Sequence, residues 1–144
     1  MTQPSMTEEE IEAYLDSKPG WAAFTSISAS GYPHTVALGY FRDGTALVMG
    51  CRDGTAKVKN IERNPKASAM LESGSTMADI KGVMLQGNAT VHRSPDEVLH
   101  FMREGARRRG VPDDELPTQA REGSVFIRLA PIKTISWDYS KRSW

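Results

Sequence analysis

Short apolar segments, separated by turn residues, run along most of the chain. The segments with the alternation and the β-branched and aromatic content of strands are 21–28, 34–41, 46–51, 66–72, 80–92, 125–129 and 132–139. Gly82, Gly87 and Pro131 interrupt or separate these segments and predict bends or bulges. Bent strands joined mainly by hairpins predict a mainly β fold with short helices (α+β), in which an antiparallel sheet closes into a barrel.

Three short segments have helical rather than strand character. The first begins at a cap supplied by Ser5 or Thr7 and ends at Pro19-Gly20. The second covers 55–63 and stops before Asn64-Pro65, and the third begins at a Ser94 cap. The buried side of the third helix is predicted to consist of Leu99, Met102 and Ala106.

Composition limits the classes of function that remain open. A chain of 144 residues fits one domain, and its 18 basic and 18 acidic residues give no global attraction for nucleic acid or a membrane surface. The single cysteine, Cys51, forms no internal disulfide, and no Cys/His spacing indicates a metal site. The acidic N-terminus lacks signal-peptide features and no apolar run is long enough to span a bilayer, so we expect a cytoplasmic protein.

The segment 50–60 is the strongest candidate for ligand binding. It follows a strand and opens a helix, so backbone N–H groups, the Thr55 hydroxyl and the Lys57 cation converge near a positive helix end. Arg52 and Lys59 are further candidate partners for a phosphate. The alternative is a solvated basic helix face. Neither the lysine-bearing phosphate loop of nucleotide triphosphatases nor a G-x-G-x-x-G turn is present.

No set of residues indicates protein-based catalysis. The three histidines are scattered along the chain, and a lone cysteine is usually a packing residue. Trp137, on the last predicted strand, could cover a cofactor or be an ordinary core or interface aromatic. We therefore predict no catalytic side chain.

Four segments, taken in order, resemble the pyridoxamine 5′-phosphate oxidase-like split-barrel family. They are 21–25, the Gly31-Tyr32-Pro33 hairpin continuing to Val36, 57–68 around Asn64-Pro65, and 87–89. The resemblance extends from about Thr7 to Tyr139. It implies a split β-barrel homodimer with a cofactor at each subunit interface.

The resemblance also assigns roles to individual residues. Thr55 and Lys57 take the phosphate-gripping positions, the second strand lines the ring system, Gln86 is the ring's partner on the long strand, and Trp137 closes the pocket. With the neighbouring polar and cationic residues added, the predicted cofactor-binding set is Pro33, Thr35, Val36, Ala37, Arg52, Thr55, Lys57, Lys59, Asn60, Gln86 and Trp137.

Two departures from the family pattern bear on the substrate. The segment 81–86 lacks the arginine-rich stretch of the vitamin B6 oxidases, and the C-terminus lacks their basic motif. With its cations at 52, 57 and 59, the chain resembles the branch of the family that binds the deazaflavin coenzyme F-420. This likeness implies hydride transfer between coenzyme F-420 and a small organic substrate; an FMN oxidoreductase and a non-catalytic flavin-binding or sequestering protein remain the alternatives.

Overall fold

Seven strands and three helices make up the described part of the chain, residues 4–18 and 20–142 of a computed structural model. The helices are α1 (Glu8–Asp16), α2 (Ala56–Arg63) and α3 (Pro95–Arg108). The strands are β1 (Ala22–Ile27), β2 (Pro33–Leu38), β3 (Phe41–Asp43), β4 (Ala46–Arg52), β5 (Lys66–Ser73), β6 (Lys81–His92) and β7 (Ser124–Asp138). Single 3₁₀ turns lie at Asp113–Glu115 and Tyr139–Lys141.

All seven strands belong to one antiparallel sheet, in the order β2-β1-β5-β6-β7-β4-β3. The long strand β7 pairs with β6 along its whole length and with β4 along its first half. The curled sheet brings β2 back against β4, although the two strands are not paired. The predicted mainly β fold with an antiparallel barrel that is split along one seam is confirmed.

The inside of the barrel is the main core. Alternate residues of every long strand point inward, for example Phe24 in β1, Leu85 in β6 and Ile127 in β7, and all three are buried. This alternation is the pattern expected of a sheet with one buried face. The apolar alternation of the sequence thus corresponds to the inward-facing positions of the strands.

A smaller core lies on the outer side of β3 and β4, under α3. It joins Phe41, Val48, Phe101 and the half-buried Phe126. The buried residues of α3 are Val98, Phe101, Gly105 and Ala106. Of the predicted stripe only Ala106 is correct; Leu99 and Met102 are half-buried, because Phe101 is the side chain that packs among the strand aromatics.

Hydrogen bonds anchor α1 across the end of the barrel. The helix begins at Thr7, whose side chain forms a reciprocal capping box with Glu10, which confirms one of the two proposed caps. The Tyr14 hydroxyl donates to the carbonyl of Lys81, and the Tyr40 hydroxyl donates to that of Leu15. The helix ends at Asp16, and Pro19, predicted to end it, lies outside the described residues.

A bulge interrupts the pairing of β6 with β7. Gln86 pairs with Lys133 and Gly87 with Pro131, so Ile132 is an extra residue and is 81% exposed. A Cβ at Gly87 would lie 1.9 Å from the Ala130 carbonyl oxygen, so this position requires glycine. The predicted irregularities at Gly87 and Pro131 are thus one feature within a continuous β7.

Two other predictions about the strands were wrong. Gly82 pairs regularly with Trp137 and produces no bend. No larger residue fits there, because the indole ring of Trp137 lies over it. The strand predicted over 34–41 ends at Leu38, and Phe41 instead pairs with Val48 in the next hairpin. The prediction treated 34–41 as one strand, whereas the chain leaves β2 after Leu38 and β3 and β4 form a separate hairpin around Gly44.

Candidate functional site

The N-terminus of α2 differs from the other two helix starts. Helices α1 and α3 have a capping side chain and acidic residues in their first turn, whereas α2 has neither. Thr55 occupies the cap position, but its hydroxyl donates to the Arg52 carbonyl at 3.0 Å instead of capping the helix. The first peptide N–H groups of α2 therefore meet no side-chain acceptor, and the helix dipole leaves a positive end.

The loop that leads into α2 is held in place by an arginine from a distant part of the chain. Arg93 donates two hydrogen bonds to the Asp53 carboxylate, each 3.2 Å long, and its third nitrogen lies 3.2 Å from Glu62 near the other end of α2. The pKa of Asp53 is lowered, first by the bond from Arg93. The only acid between Gly50 and Lys59 is thus neutralised, which leaves the cations of this loop in excess.

Lys57 lies in the first turn of α2, close enough to Cys51 for its charge to act on the thiol. Burial raises the pKa of the Cys51 thiol, and the nearby Lys57 cation opposes that rise. Lys57 is half-buried, whereas Arg52 and Lys59 are exposed. The structure therefore brings Arg52, Thr55 and Lys57 together at one helix end, where the two cations and the peptide N–H groups can converge on an anion.

A second set of predicted residues lies on the outer face of the sheet. Register places Thr35, Thr25, Ser68 and Gln86 side by side on β2, β1, β5 and β6. The hydroxyls of Thr25 and Thr35 are 2.8 Å apart. Next to this row lies a depression of about 480 Å³, lined by Thr25, Ser68, Gln86 and the bulge residue Ile132 among others. Small polar side chains thus form a flat surface, suited to a planar ring.

Strand β2 divides its predicted residues between two faces. Pro33, Thr35 and Ala37 are exposed on the outer face, while Val36 points the other way, paired with the buried Phe24. Three of the four residues can therefore line the same surface. Val36 cannot join them, because successive strand residues alternate in direction.

Asn60 is used inside the protein. It is 5% exposed, its amide nitrogen donates to the Ser26 hydroxyl at 3.1 Å, and its amide oxygen accepts from Arg63 at 3.1 Å. Arg63 also donates to the Ile27 carbonyl. These bonds join α2 to β1, so Asn60 positions the helix and its side chain is not directed to an outside ligand.

Trp137 lies away from the other predicted residues within one chain. Its indole covers Gly82, where a Cβ would come within 2.4 Å of the ring, and its N–H donates to Glu72 at 3.0 Å. Gln86 and Gly82 are four residues apart on β6, which is about 13 Å along a strand. The fold of this chain therefore does not bring Trp137 to the Gln86 surface.

Arg93 and Ser26 were not predicted from the sequence, although both position the candidate site. Arg93 is 40 residues from Asp53, and no local pattern links an arginine before a helix cap to a loop that far away. Alternation does place Ser26 inward in β1. A serine at an inward position, where the other residues are apolar, signals a buried polar partner, which here is Asn60.

The described residues contain neither a helix that could span a membrane nor a group of side chains that could bind a metal ion. No helix in 4–18 or 20–142 is long and apolar enough to cross a membrane. Across the same ranges, no three His, Cys, Asp or Glu side chains are grouped closely enough to hold a metal ion.

Comparison with solved structures identifies the fold. A conserved hypothetical protein from Mycobacterium tuberculosis is 23% identical with a TM-score of 0.81, over 96% of this chain and 89% of the other. The flavocytochrome Anf3 from Azotobacter vinelandii is 16% identical with a TM-score of 0.74, over 96% and 75%. A structure described as an F-420 reductase is 20% identical with a TM-score of 0.63, over 84% and 93%.

Sequence comparison assigns the family. No curated protein sequence matches the chain. The family described as pyridoxamine 5′-phosphate oxidase, in contrast, matches residues 7–138, which include every strand and helix described above. The chain therefore belongs to the pyridoxamine 5′-phosphate oxidase family.

Proposed function

We propose that this protein is an oxidoreductase that uses coenzyme F-420 to transfer hydride to or from a small organic substrate. The observation that carries the proposal is the start of α2, which is uncapped, free of acids and flanked by Thr55, Lys57 and Arg52. A phosphate suits this position, because peptide N–H groups and cations would share its charge. An F-420 reductase among the similar structures supports the choice of deazaflavin.

The residues present fit a flavin-type cofactor. The donors at α2 would hold its phosphate, and the outer row of Thr25, Thr35 and Gln86 offers a flat polar surface for its ring. When bound, such a cofactor supplies the hydride chemistry. This chain's own residues would bind and orient the ring and exclude water from it, so that no protein nucleophile is needed.

We further propose that the working form is a homodimer with a cofactor at each interface. Met70 is 38% exposed and Ile132 is 81% exposed on the outer face of the sheet, and Met84 and Ile135 extend the same face. Trp137 lies too far from Gln86 to close a pocket in its own subunit, so a partner would have to supply it. Sedimentation of the purified protein tests this, since a monomer at micromolar concentration would contradict the proposal.

Two titrations test the cofactor. The apo protein is titrated with oxidised coenzyme F-420 and separately with FMN, followed by tryptophan fluorescence. We expect the deazaflavin to bind more tightly. Preference for FMN would establish the alternative of an FMN oxidoreductase, whose phosphate would use the same donors. Binding without turnover of the reduced cofactor, across a panel of electron-poor acceptors, would favour a flavin-binding or sequestering protein.

A pair of variants tests the phosphate position. Lys57→Gln removes one charge-assisted hydrogen bond, worth about 1.5 to 3 kcal/mol, so the dissociation constant should rise about tenfold to a hundredfold. Arg107→Gln is the control: it removes the same charge from α3, where Arg107 pairs with Glu104. Equal effects of the two variants, or none, would show that the phosphate binds elsewhere.

A further inference from the structure

A separate cavity of about 660 Å³ opens between α3 and the outer side of β3, β4 and β7. Three aromatic rings form its floor. The centroids of Phe101 and Phe126 are 5.5 Å apart, and those of Phe41 and Phe101 are 6.3 Å apart. Trp21, 70% exposed, stands at the side of the same cavity. Its volume falls in the range of small-molecule sites.

Glycines keep the ring surfaces of this cavity open. A Cβ at Gly50 would lie 3.1 Å from the Phe126 ring, and one at Gly105 would lie 3.4 Å from the Phe41 ring. Both glycines line the cavity. The floor is therefore an open apolar surface of tilted rings that no neighbouring side chain fills.

Every charged residue that lines the cavity is a cation. These residues are Lys18, Arg52, Arg109 and Arg121. No aspartate or glutamate is among the lining residues. The pKa of Lys18 is lowered, first by burial and then by the positive charges of Arg109 and Arg108. Positive charge is thus crowded at this cavity without a carboxylate in its wall to offset it.

The arginines of the cavity also differ in their partners from most other arginines of the described chain. Arg42 pairs with Asp16, Arg93 with Asp53, and Arg128 with Asp43. Arg63, Arg103 and Arg107 likewise donate to oxygen atoms of the protein.

In contrast, the side chains of Arg52, Arg109 and Arg121 form no salt bridge or hydrogen bond with the described residues. The guanidinium of Arg109 lies against Gly105, and that of Arg52 against Gly123. Unpaired guanidinium groups therefore converge on one cavity from α3, the end of β4 and the segment before β7.

We propose that this cavity binds a small organic anion with a flat apolar body, such as an aromatic carboxylate. The aromatic floor would take the ring, and guanidinium groups at the rim would take the carboxylate, for which their planar fork is suited. Of the residues predicted to contact the flavin-type cofactor only Arg52 lines this cavity. The inference therefore does not depend on which flavin the protein holds.

Calorimetric titration with two matched probes tests the charge requirement. The full-length protein is titrated with naphthoate and with the neutral naphthylmethanol, which has a similar ring and size. We expect naphthoate to bind at one site per chain, about tenfold or more tightly than the alcohol, and to weaken as salt is raised. Equal affinity for the two probes, or no saturable binding of naphthoate, would overturn the proposal.

Variants locate the site. Arg109→Gln and Arg121→Gln should each weaken naphthoate about tenfold while leaving naphthylmethanol unchanged. Arg107→Gln, two positions before Arg109, outside the cavity wall and paired with Glu104, should have no effect. If Arg107→Gln weakens naphthoate binding as much as Arg109→Gln does, the anion is attracted to the general charge of α3. The proposed location of the site in the cavity is then wrong. Should a variant fail to fold, the salt and neutral-probe comparisons on the natural chain still decide.

Discussion

Replacing Asn60 distinguishes a residue that positions α2 from one that binds a cofactor. In Asn60→Ala the Ser26 hydroxyl, which is 0% exposed, loses its partner, and Arg63 loses an acceptor. Leaving a buried polar group unsatisfied costs about 1 to 3 kcal/mol, and the charged hydrogen bond adds to this. We therefore expect the free energy of unfolding to fall by about 2 to 4 kcal/mol.

Urea unfolding followed by tryptophan fluorescence measures this change, at a fixed protein concentration because dimerisation would contribute to stability. Ser26→Ala alone should cost about 1 to 3 kcal/mol, since it strands the Asn60 amide. In the double variant neither group is left without its partner, so its loss should be smaller than the sum of the single losses.

The cofactor titration completes the test. A destabilised Asn60→Ala protein that still binds coenzyme F-420 or FMN, under conditions where it remains folded, would agree with the structure. The reasoning is refuted if Asn60→Ala unfolds at the same urea concentration as the natural protein yet binds the cofactor much more weakly. That result would restore the prediction, made from the polar segment 50–60, that Asn60 contacts the cofactor.

Three other changes should have defined effects. Gly87→Ala would press a methyl group against the Ala130 carbonyl, so we expect a loss of more than about 3 kcal/mol in urea unfolding, whereas Gly20→Ala, with open space around it, should be nearly neutral. The pKa of Glu10 is lowered to about 2, first by its bond from Lys141, so the stability from this contact is complete above about pH 4.5 and is lost as pH falls toward 2. Lys141→Met should raise the pKa of Glu10 in an NMR titration, and an unchanged value would contradict the ion pair. Burial raises the pKa of Cys51, so iodoacetamide should alkylate it more slowly than free cysteine near pH 8.5, and equal rates would show that the thiol is not buried.

Features that depend on local pattern were predictable from the sequence. Alternation identified every strand except the short β3, and the predicted caps placed the starts of two helices, at Ser94 and at one of the two candidates Ser5 and Thr7. The loop of Arg52, Thr55 and Lys57 was found because its chemistry is contiguous in the chain. The family resemblance was likewise carried by short segments in a fixed order, and the match over 7–138 confirms it.

Features that depend on distant contacts were not predictable. Asn60 is polar and lies in a basic helix, so nothing local shows that its partner is Ser26, 34 residues away. Phe101 replaced Leu99 and Met102 as the buried residue of α3 because the second core, formed with Phe41 and Phe126, exists only after the sheet has folded. The gathering of Arg109 and Arg121 at one cavity depends in the same way on tertiary structure.

The bulge at Ile132 changes the phase of β7. Before it the odd-numbered residues, such as Ile127 and Leu129, face the interior; after it the even-numbered Ser136 and Asp138 do. If Ile132 paired regularly instead of bulging, strict alternation would continue through it and the second half of the strand would turn over. Lys133 would then face the barrel interior, and Trp137 would leave Gly82. One extra residue thus sets which side chains the second half of β7 presents on the outer face of the sheet.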